Sequence, residues 1–568
     1  MRDIIGISAY YHDSSVALVR DGRLIAFVKE ESLTRIKGIN AFPIHAIKFL
    51  IKKFDITPTS LKHICFYEKP LKGWVSLMHH ALERPFSRWR QAVNQLRSFW
   101  DGPLFLRHEL QQIFPNWNFS LIYSHHHLSH ALTALAYAGE TDEWTAIVVD
   151  GVGDGHTASI FHIEGNSVKR LWYSKFPFSI GLFYSTITDF IGFPINEGEF
   201  KVMALAAFGK PVHIEFMRKN MLNFQNGRIY GNLKFYDYHR NPESSFSSHL
   251  VDQLGPEGDP KTLDLAEHSK EFLRLADIAA SAQTLLSDIL KQIVLYAIEM
   301  TGCKRVLISG GVAQNCRAIA DLVAIEELEE LIVPPSPGDS GAAIGAAFYA
   351  TLLDGVEQPR WANLFPGCDG RKSAVSNSLF EKVYGNDEKI SKAVNLIGKG
   401  EIIGTFLGNG ECGPRALGHR SLLCDATNDQ VLTTLNIKIK KREPFRPLSP
   451  MMLESSAKLY FEINPNAKKS YRWMGLTSVA RSIAYKFIPS VLHIDGTARI
   501  QIVDEGQGSV YQLLLESEQN EMPALANTSF NISGDPIVFD HLDCYINMKR
   551  LGVKWILMDD GLFRILNV

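Results

Sequence analysis

The chain has 568 residues, 46% hydrophobic and 21% charged, with a formal net charge of -2. At roughly 150 residues per domain, that length is too great for one core and predicts three or four folding units. The near-neutral charge excludes a broad basic field for wrapping nucleic acid, and no run approaches the ~18 apolar residues needed to cross a bilayer. Seven cysteines are scattered singly with no C-x-x-C pair, which suits reduced thiols. No apolar leader follows Met1-Arg2-Asp3, so the expected location is the cytoplasm.

In chain order, residues 4–9 read as a mostly apolar strand, followed by a polar turn carrying His12-Asp13. Residues 16–19, the turn Asp21-Gly22 and residues 24–28 complete the unit. The same order returns at 146–149, 150–156, 158–161, Glu164-Gly165-Asn166 and 168–172. Alternation and turn chemistry make each unit strand, polar turn, strand, tight turn, strand. A duplicated β-β-β unit with helices between predicts an α/β, two-lobed actin-like (ASKHA) nucleotide-binding fold. Residues 74–107 are basic and aromatic and read as a helical insertion.

The run Ser124-His125-His126-His127-Leu128-Ser129-His130-Ala131 opens an amphipathic helix. His126 and His130, four apart, project from one face and can bind one metal; His127 and His130, three apart, are a competing pair. The bland alternative is histidines that cap and pack a helix start. Two carboxylates shift the balance: Asp150 at a strand end before a glycine turn, and Asp339 at a helix start. A His and Asp donor set suits iron, manganese or zinc better than calcium.

In Asp150-Gly151-Val152-Gly153-Asp154-Gly155 the glycines allow backbone N–H groups to converge on an anion such as a phosphate. Gly310-Gly311, between a strand and a helix leading to Asn315, would let an adenosine lie on bare backbone; a simple tight turn is the alternative. His12, at the place in its unit corresponding to Gly153–Gly155, can serve as a general base near neutral pH. Helical spacing is clear over 277–300, and the helix near Ser340-Gly341-Ala342-Ala343 is rich in small residues, allowing close packing or close ligand approach.

Residues 355–374 break pattern with Gly355, Pro359, Pro366, Gly367 and Gly370, and read as a linker. Beyond it, Gly413-Pro414-Arg415-Ala416-Leu417-Gly418-His419-Arg420-Ser421 and Lys438-Ile439-Lys440-Lys441-Arg442-Glu443-Pro444-Phe445-Arg446-Pro447 concentrate cations. Such runs are usually solvated faces. Here Pro444 and Pro447 stiffen the backbone around Arg446, and fixed guanidinium forks suit phosphate or carboxylate. His493–Arg499 and Asn527–Asn531 add polar groups at apparent strand ends.

With these motifs and with Glu30-Glu31-Ser32-Leu33-Thr34-Arg35 and Glu199-Phe200-Lys201-Val202-Met203, nearly the whole sequence resembles the O-carbamoyltransferases of natural-product and nodulation-factor biosynthesis. The resemblance implies an actin-like metal- and nucleotide-binding transfer domain over 1–354, a linker over 355–374 and a YrdC-like α/β activation domain over 375–568. It implies metal ligands His126, His130, Asp150 and Asp339, holding Fe(II) or another divalent transition metal, and a transfer-step base His12. Carbamoyl phosphate would be held by Arg415, Lys440, Arg446 and Arg499, with Ser529 and Asn531 nearby. Gly151, Gly153, Gly310, Gly311 and Asn315 would line ATP, a co-substrate with Mg. The expected partners are small molecules, the acceptor being a natural-product hydroxyl such as that of an antibiotic, with no nucleic acid and no membrane. A protein or tRNA acceptor, or an actin-like nucleotide-binding regulator without catalysis, are the alternatives. The sequence departs from the family at Ala204, Ala207 and Phe208, where glycine, proline and tyrosine are usual.

Overall fold

The computed structural model describes residues 2–70, 106–139, 141–239, 244–259, 269–356, 363–368, 370 and 379–566. The insertion read over 74–107 lies outside them except for its last two residues, as does much of 355–374. Two compact units form, residues 1–30 with 38–362 and residues 31–37 with 363–568. Length alone predicts three or four; the first unit instead holds two large sheets.

The first sheet of that unit comprises β1 (Asp3–Ser8), β2 (Ser15–Arg20), β3 (Arg23–Lys29), β4 (Leu61–Phe66) and β5 (Ser120–Tyr123), in the order β3-β2-β1-β4-β5. The second comprises β6 (Glu143–Gly153), β7 (His156–Glu164), β8 (Ser167–Lys175), β9 (Arg305–Ser309) and β10 (Glu330–Ile332), in the order β8-β7-β6-β9-β10. In both, the first three strands are antiparallel neighbours and the last two join in parallel. The echo in the sequence is therefore a duplication of topology, and the unit has the actin-like α/β arrangement.

Three helices build this unit's core. α1 (His126–Leu135) follows β5, α2 (Lys270–Thr301) precedes β9, and α3 (Asp339–Leu353) follows β10. Ser269 caps α2 by accepting from the Phe272 N–H, and Gly302 ends it in the left-handed region at φ 74°. Contrary to the expectation that no segment is apolar enough, α2 is long and apolar enough to cross a membrane by length and composition; 72% of its most apolar stretch is buried within the protein.

The small residues of α3 serve close packing. A Cβ on Gly345 would stand 1.7 Å from the Ser129 carbonyl oxygen of α1, and one on Gly6 of β1 would stand 2.0 Å from the Ala343 carbonyl oxygen. Thr133 Oγ1 completes the crossing, donating to the Gly341 carbonyl at 2.8 Å and accepting from the Gly345 N–H at 3.0 Å. Bare backbone at Gly345 thus sets the α1–α3 spacing, and with it the spacing of the side chains at the helix starts.

The second unit carries an eight-stranded mixed sheet. Its strands are β11 (Phe380–Tyr384), β12 (Ile403–Phe406), β13 (Ser421–Asp425), β14 (Ser449–Leu453), β15 (Gln501–Val503), β16 (Leu525–Ser529), β17 (Trp555–Met558) and β18 (Gly561–Ile565), ordered β11-β18-β17-β12-β13-β16-β14-β15. Both faces are covered. Leu423 and Leu557 pack with α4 (Lys389–Gly398) and α5 (Ser509–Gln519), whereas Leu422 and Ile556 pack with α6 (His541–Leu551). Alternation along β13 and β17 divides the core into two layers. Residues 31–37 belong here because the Arg35 guanidinium donates to the Pro536 and Ile537 carbonyls, each at 2.8 Å, and lies 3.2 Å from the Asp543 carboxylate.

Candidate metal centre and anion site

His126 is the first residue of α1, Asp339 the first of α3, and Asp150 lies near the end of β6. With His130 one turn along α1, each offers a donor atom within 4.8 Å of the others, and all four residues are buried. His126 Nε2 is 2.9 Å from Asp150 Oδ2 and 3.2 Å from His130 Nε2; His130 Nε2 is 3.4 Å from Asp150 Oδ2 and 3.2 Å from Asp339 Oδ1. Such spacings are close to the edges of a coordination shell with metal–ligand bonds of about 2.1 Å. His127, the competing partner in the sequence, turns away, its Nδ1 lying 2.8 Å from Ser159 Oγ.

The donor set fits a divalent transition metal. Two Nε2 atoms 3.2 Å apart can share only one proton between them, and two carboxylates face the same point. Burial disfavours charge on His126, yet Asp150, Asp339 and Glu68 raise its pKa well above the ordinary value. Burial likewise opposes ionisation of Asp150, but the two imidazoles hold it well below the usual carboxylate range. A buried cluster that stabilises charge this way favours a cation.

The glycines behave differently from the phosphate cradle expected of them. Backbone N–H groups do converge on an anion, but it is the Asp150 carboxylate: Oδ1 accepts from Gly151 at 2.8 Å and Gly311 at 3.1 Å, leaving Oδ2 for the imidazoles. Gly153 lies flush on the His126 ring, where a Cβ would stand 2.1 Å from Cδ2. Gly310 takes φ +93° with its α-carbon against the Val149 backbone, a conformation and an approach open only to glycine. Asn315 caps the following helix by accepting from the Ala318 N–H and exchanges two hydrogen bonds with Gln283.

His12 stands at the margin of the cluster with Nε2 3.7 Å from Asp339 Oδ2, while Nδ1 is 3.0 Å from Asp13 Oδ2. Asp13 thereby holds a proton on Nδ1 and aims Nε2 inward. Burial would lower the His12 pKa, but Asp13, Asp339 and Asp150 lift it to about 9. The ring of Tyr11, itself 49% exposed, lies 4.7 Å from the His12 ring.

In the second unit, Lys440 follows a π-helical turn, Thr434–Ile439, and is 2% exposed. Its Nζ donates to the Ser529 carbonyl, the Asn531 carbonyl at 2.6 Å and Asn531 Oδ1 at 3.0 Å, while Ser529 Oγ donates to Asn531 Oδ1 at 2.6 Å. Burial, then Arg442, Arg446 and Lys37, pushes the Lys440 pKa well below its ordinary value. Burial and Arg446 bring Arg442 down to about 9, Glu443 opposing. Arg499 donates from Nη2 to Ser449 Oγ at 3.1 Å, and its charge bears on Arg446. Arg446 is near Glu443 at 3.6 Å. Like charges thus gather around a buried lysine and partly buried guanidiniums.

The second sequence arginine, Arg420, takes no part. It is 2% exposed, stacks 3.7 Å over Phe406 and donates to the carbonyls of Leu407, Gly408 and His419. Arg415 is half-buried in the same loop. The Glu411 carboxylate organises that loop, accepting from the N–H groups of Leu417, His419 and Arg420.

Two family models match the chain, carbamoyltransferase N-terminus over residues 3–348 and carbamoyltransferase C-terminus over residues 394–564. The chain belongs to the carbamoyltransferase family. This carbamoyltransferase is 30% identical to the nodulation protein NolNO of Sinorhizobium fredii, over 94% of this chain and 76% of that protein. It is also 30% identical to the uncharacterized protein sll1178 of Synechocystis sp., over 99% of this chain and 96% of that one. Among solved structures, full-length HypF in the phosphate- and nucleotide-bound form matches with a TM-score of 0.33 at 15% identity, covering 64% of this chain and 47% of that chain.

Three residues acting on these two clusters are not among the candidates the sequence offers. Glu68 faces His126, Asp154 accepts the His126 backbone N–H at 3.0 Å, and Lys37 acts electrostatically on Lys440. An acidic residue just beyond the apolar strand β4 was the signal available for Glu68. Lys37 gave none, since its place depends on the tertiary attachment of Arg35.

Proposed function

We propose that this carbamoyltransferase is an ATP-dependent O-carbamoyltransferase that works through a carbamoyladenylate. Carbamoyl phosphate loses phosphate to one water, the resulting carbamate attacks the α-phosphorus of ATP·Mg, and pyrophosphate leaves. The cluster of Lys440, Arg442, Arg446 and Arg499 supports this reading for the second unit, because its crowded, partly buried charges gain from a bound phosphate or carboxylate. Arg415, Ser529 and Asn531 complete the proposed pocket.

The transfer step belongs to the first unit. An acceptor hydroxyl oxygen attacks the carbamoyl carbon, AMP departs, and the hydroxyl proton passes to His12 Nε2. Asp13 keeps the other ring nitrogen protonated, so that Nε2 is the basic atom. His126, His130, Asp150 and Asp339 would hold the metal, Fe(II) or another divalent transition ion. When bound it supplies a Lewis acid and offsets the carboxylate charges that otherwise keep His12 protonated. Gly310, Gly311 and Asn315 are proposed neighbours of the adenosine. The acceptor is a hydroxyl of a small-molecule natural product.

The observation that carries the proposal is the four-residue buried cluster beside His12, in a chain of this family. Incubation of the purified protein with ATP, Mg and carbamoyl phosphate is expected to release pyrophosphate. Pyrophosphate release that ignores carbamoyl phosphate, or no release at all, overturns the adenylate route.

A further inference from the structure

The two imidazoles of the cluster have different surroundings on their outer nitrogens. His130 Nδ1 and His126 Nδ1 are both buried without a hydrogen bond, but His126 Nδ1 faces a carboxylate, Glu68 Oε2, at 3.6 Å. Glu68 is partly buried, its side chain 22% exposed. A buried N–H without an acceptor is costly, so a facing carboxylate is strongly drawn to it.

The local chain fixes these two residues in register. Asp154 Oδ1 accepts from the Lys69 N–H and Oδ2 from the His126 N–H, both at 3.0 Å. One carboxylate thus staples the segment after β4 to the start of α1, with Glu68 adjacent to Lys69 in that segment. Tyr67 flanks the His126 ring at 5.2 Å between centroids, and bare Gly153 forms the other wall. The ring is held on two sides, with its Nε2 edge toward the Asp150 and Asp339 carboxylates and its Nδ1 edge toward Glu68. Among the described residues nothing comparable meets His130, whose partners there are all at Nε2.

We propose that Glu68 is the positioning carboxylate of the metal centre: it accepts the Nδ1 hydrogen of His126, so that the Nε2 lone pair is directed at the ion. This deepens the metal reading above and rests on it. A carboxylate behind an imidazole raises its basicity and locks its ring angle, and loss of such a partner typically weakens metal binding 10–100-fold. Glu68 touches no reacting atom in this scheme and acts through His126.

The test uses Co(II) as the probe with the full-length protein, reading affinity by chelator competition and the ligand-field band of the bound ion. The wild type is expected to bind one Co(II), Glu68→Gln about 10-fold more weakly, and Glu68→Met about 100-fold more weakly with a shifted band. Lys69→Ala, in the same segment, is expected to match the wild type, since only its backbone N–H is used. Glu68→Gln is isosteric, and should the Met variant fail to fold by circular dichroism, the Gln variant decides alone. Affinity and band unchanged in Glu68→Gln overturn the positioning role while leaving the metal centre standing. No Co(II) binding by the wild type overturns the metal centre and this role together.

Discussion

His126 Nε2 and His130 Nε2 lie 3.2 Å apart, with the Asp150 carboxylate 2.9 Å from the first and 3.4 Å from the second. One turn of helix sets that pair, and a strand end from elsewhere in the unit supplies the third donor. Replacing both imidazoles removes two of four ligands, and ion binding should weaken by orders of magnitude. The variant His126→Ala/His130→Ala is expected to lose stoichiometric metal by elemental analysis. Unchanged metal content in that variant rejects the site.

The spacing of the cluster depends on a residue that binds nothing. A Cβ on Gly345 would meet the Ser129 carbonyl oxygen at 1.7 Å, so α3 would have to move away from α1. Overpacking of this kind costs about 1–3 kcal/mol, occasionally more. Gly345→Ala should lower the urea midpoint and also weaken Co(II) binding, because Asp339 is on α3 and His130 on α1. Lost stability with intact metal affinity would detach the helix crossing from the site.

The sequence disclosed what local chemistry determines. Alternation and turns revealed the duplicated β-β-β units, and the i,i+4 spacing revealed His126 and His130. Asp150 and Asp339 were legible because one lies near the end of a strand and the other begins a helix, each beside glycine. Contacts made only by tertiary folding were not legible. Arg420 looks like Arg415 in sequence but is turned inward onto Phe406, and Gly153 looks like a phosphate glycine but is the wall behind His126. Glu68 meets His126 because β4 and β5 are neighbours in one sheet, and no spacing rule connects them.

A pH dependence follows from Asp495 in the second unit. Burial alone would raise its pKa, but the nearby His493 and hydrogen bonds from Thr497 hold it at about 2, against 3.8 ordinarily. A folded pKa below the unfolded one contributes stability that is present above pH 3.8 and is lost as pH falls through 2. Asp495→Asn should therefore lower the urea midpoint near neutral pH, and the gap to the wild type should close as acid approaches pH 2. A gap that widens on acidification contradicts the assignment.

The two proposed chemical steps should separate by mutation, because the residues assigned to them lie in different compact units. Arg446→Ala removes a charge-assisted donor worth roughly 1.5–3 kcal/mol from the anion cluster. Carbamoyl-phosphate-dependent pyrophosphate release should fall at least tenfold. His12→Asn keeps a polar group beside Asp13 but removes the basic Nε2, and loss of a general base costs about 100- to 10,000-fold. It should leave pyrophosphate release largely intact while transfer slows. Supplying carbamoyladenylate should then restore transfer to Arg446→Ala but not to His12→Asn. Equal loss of pyrophosphate release in both variants would show that one step does not belong to each unit.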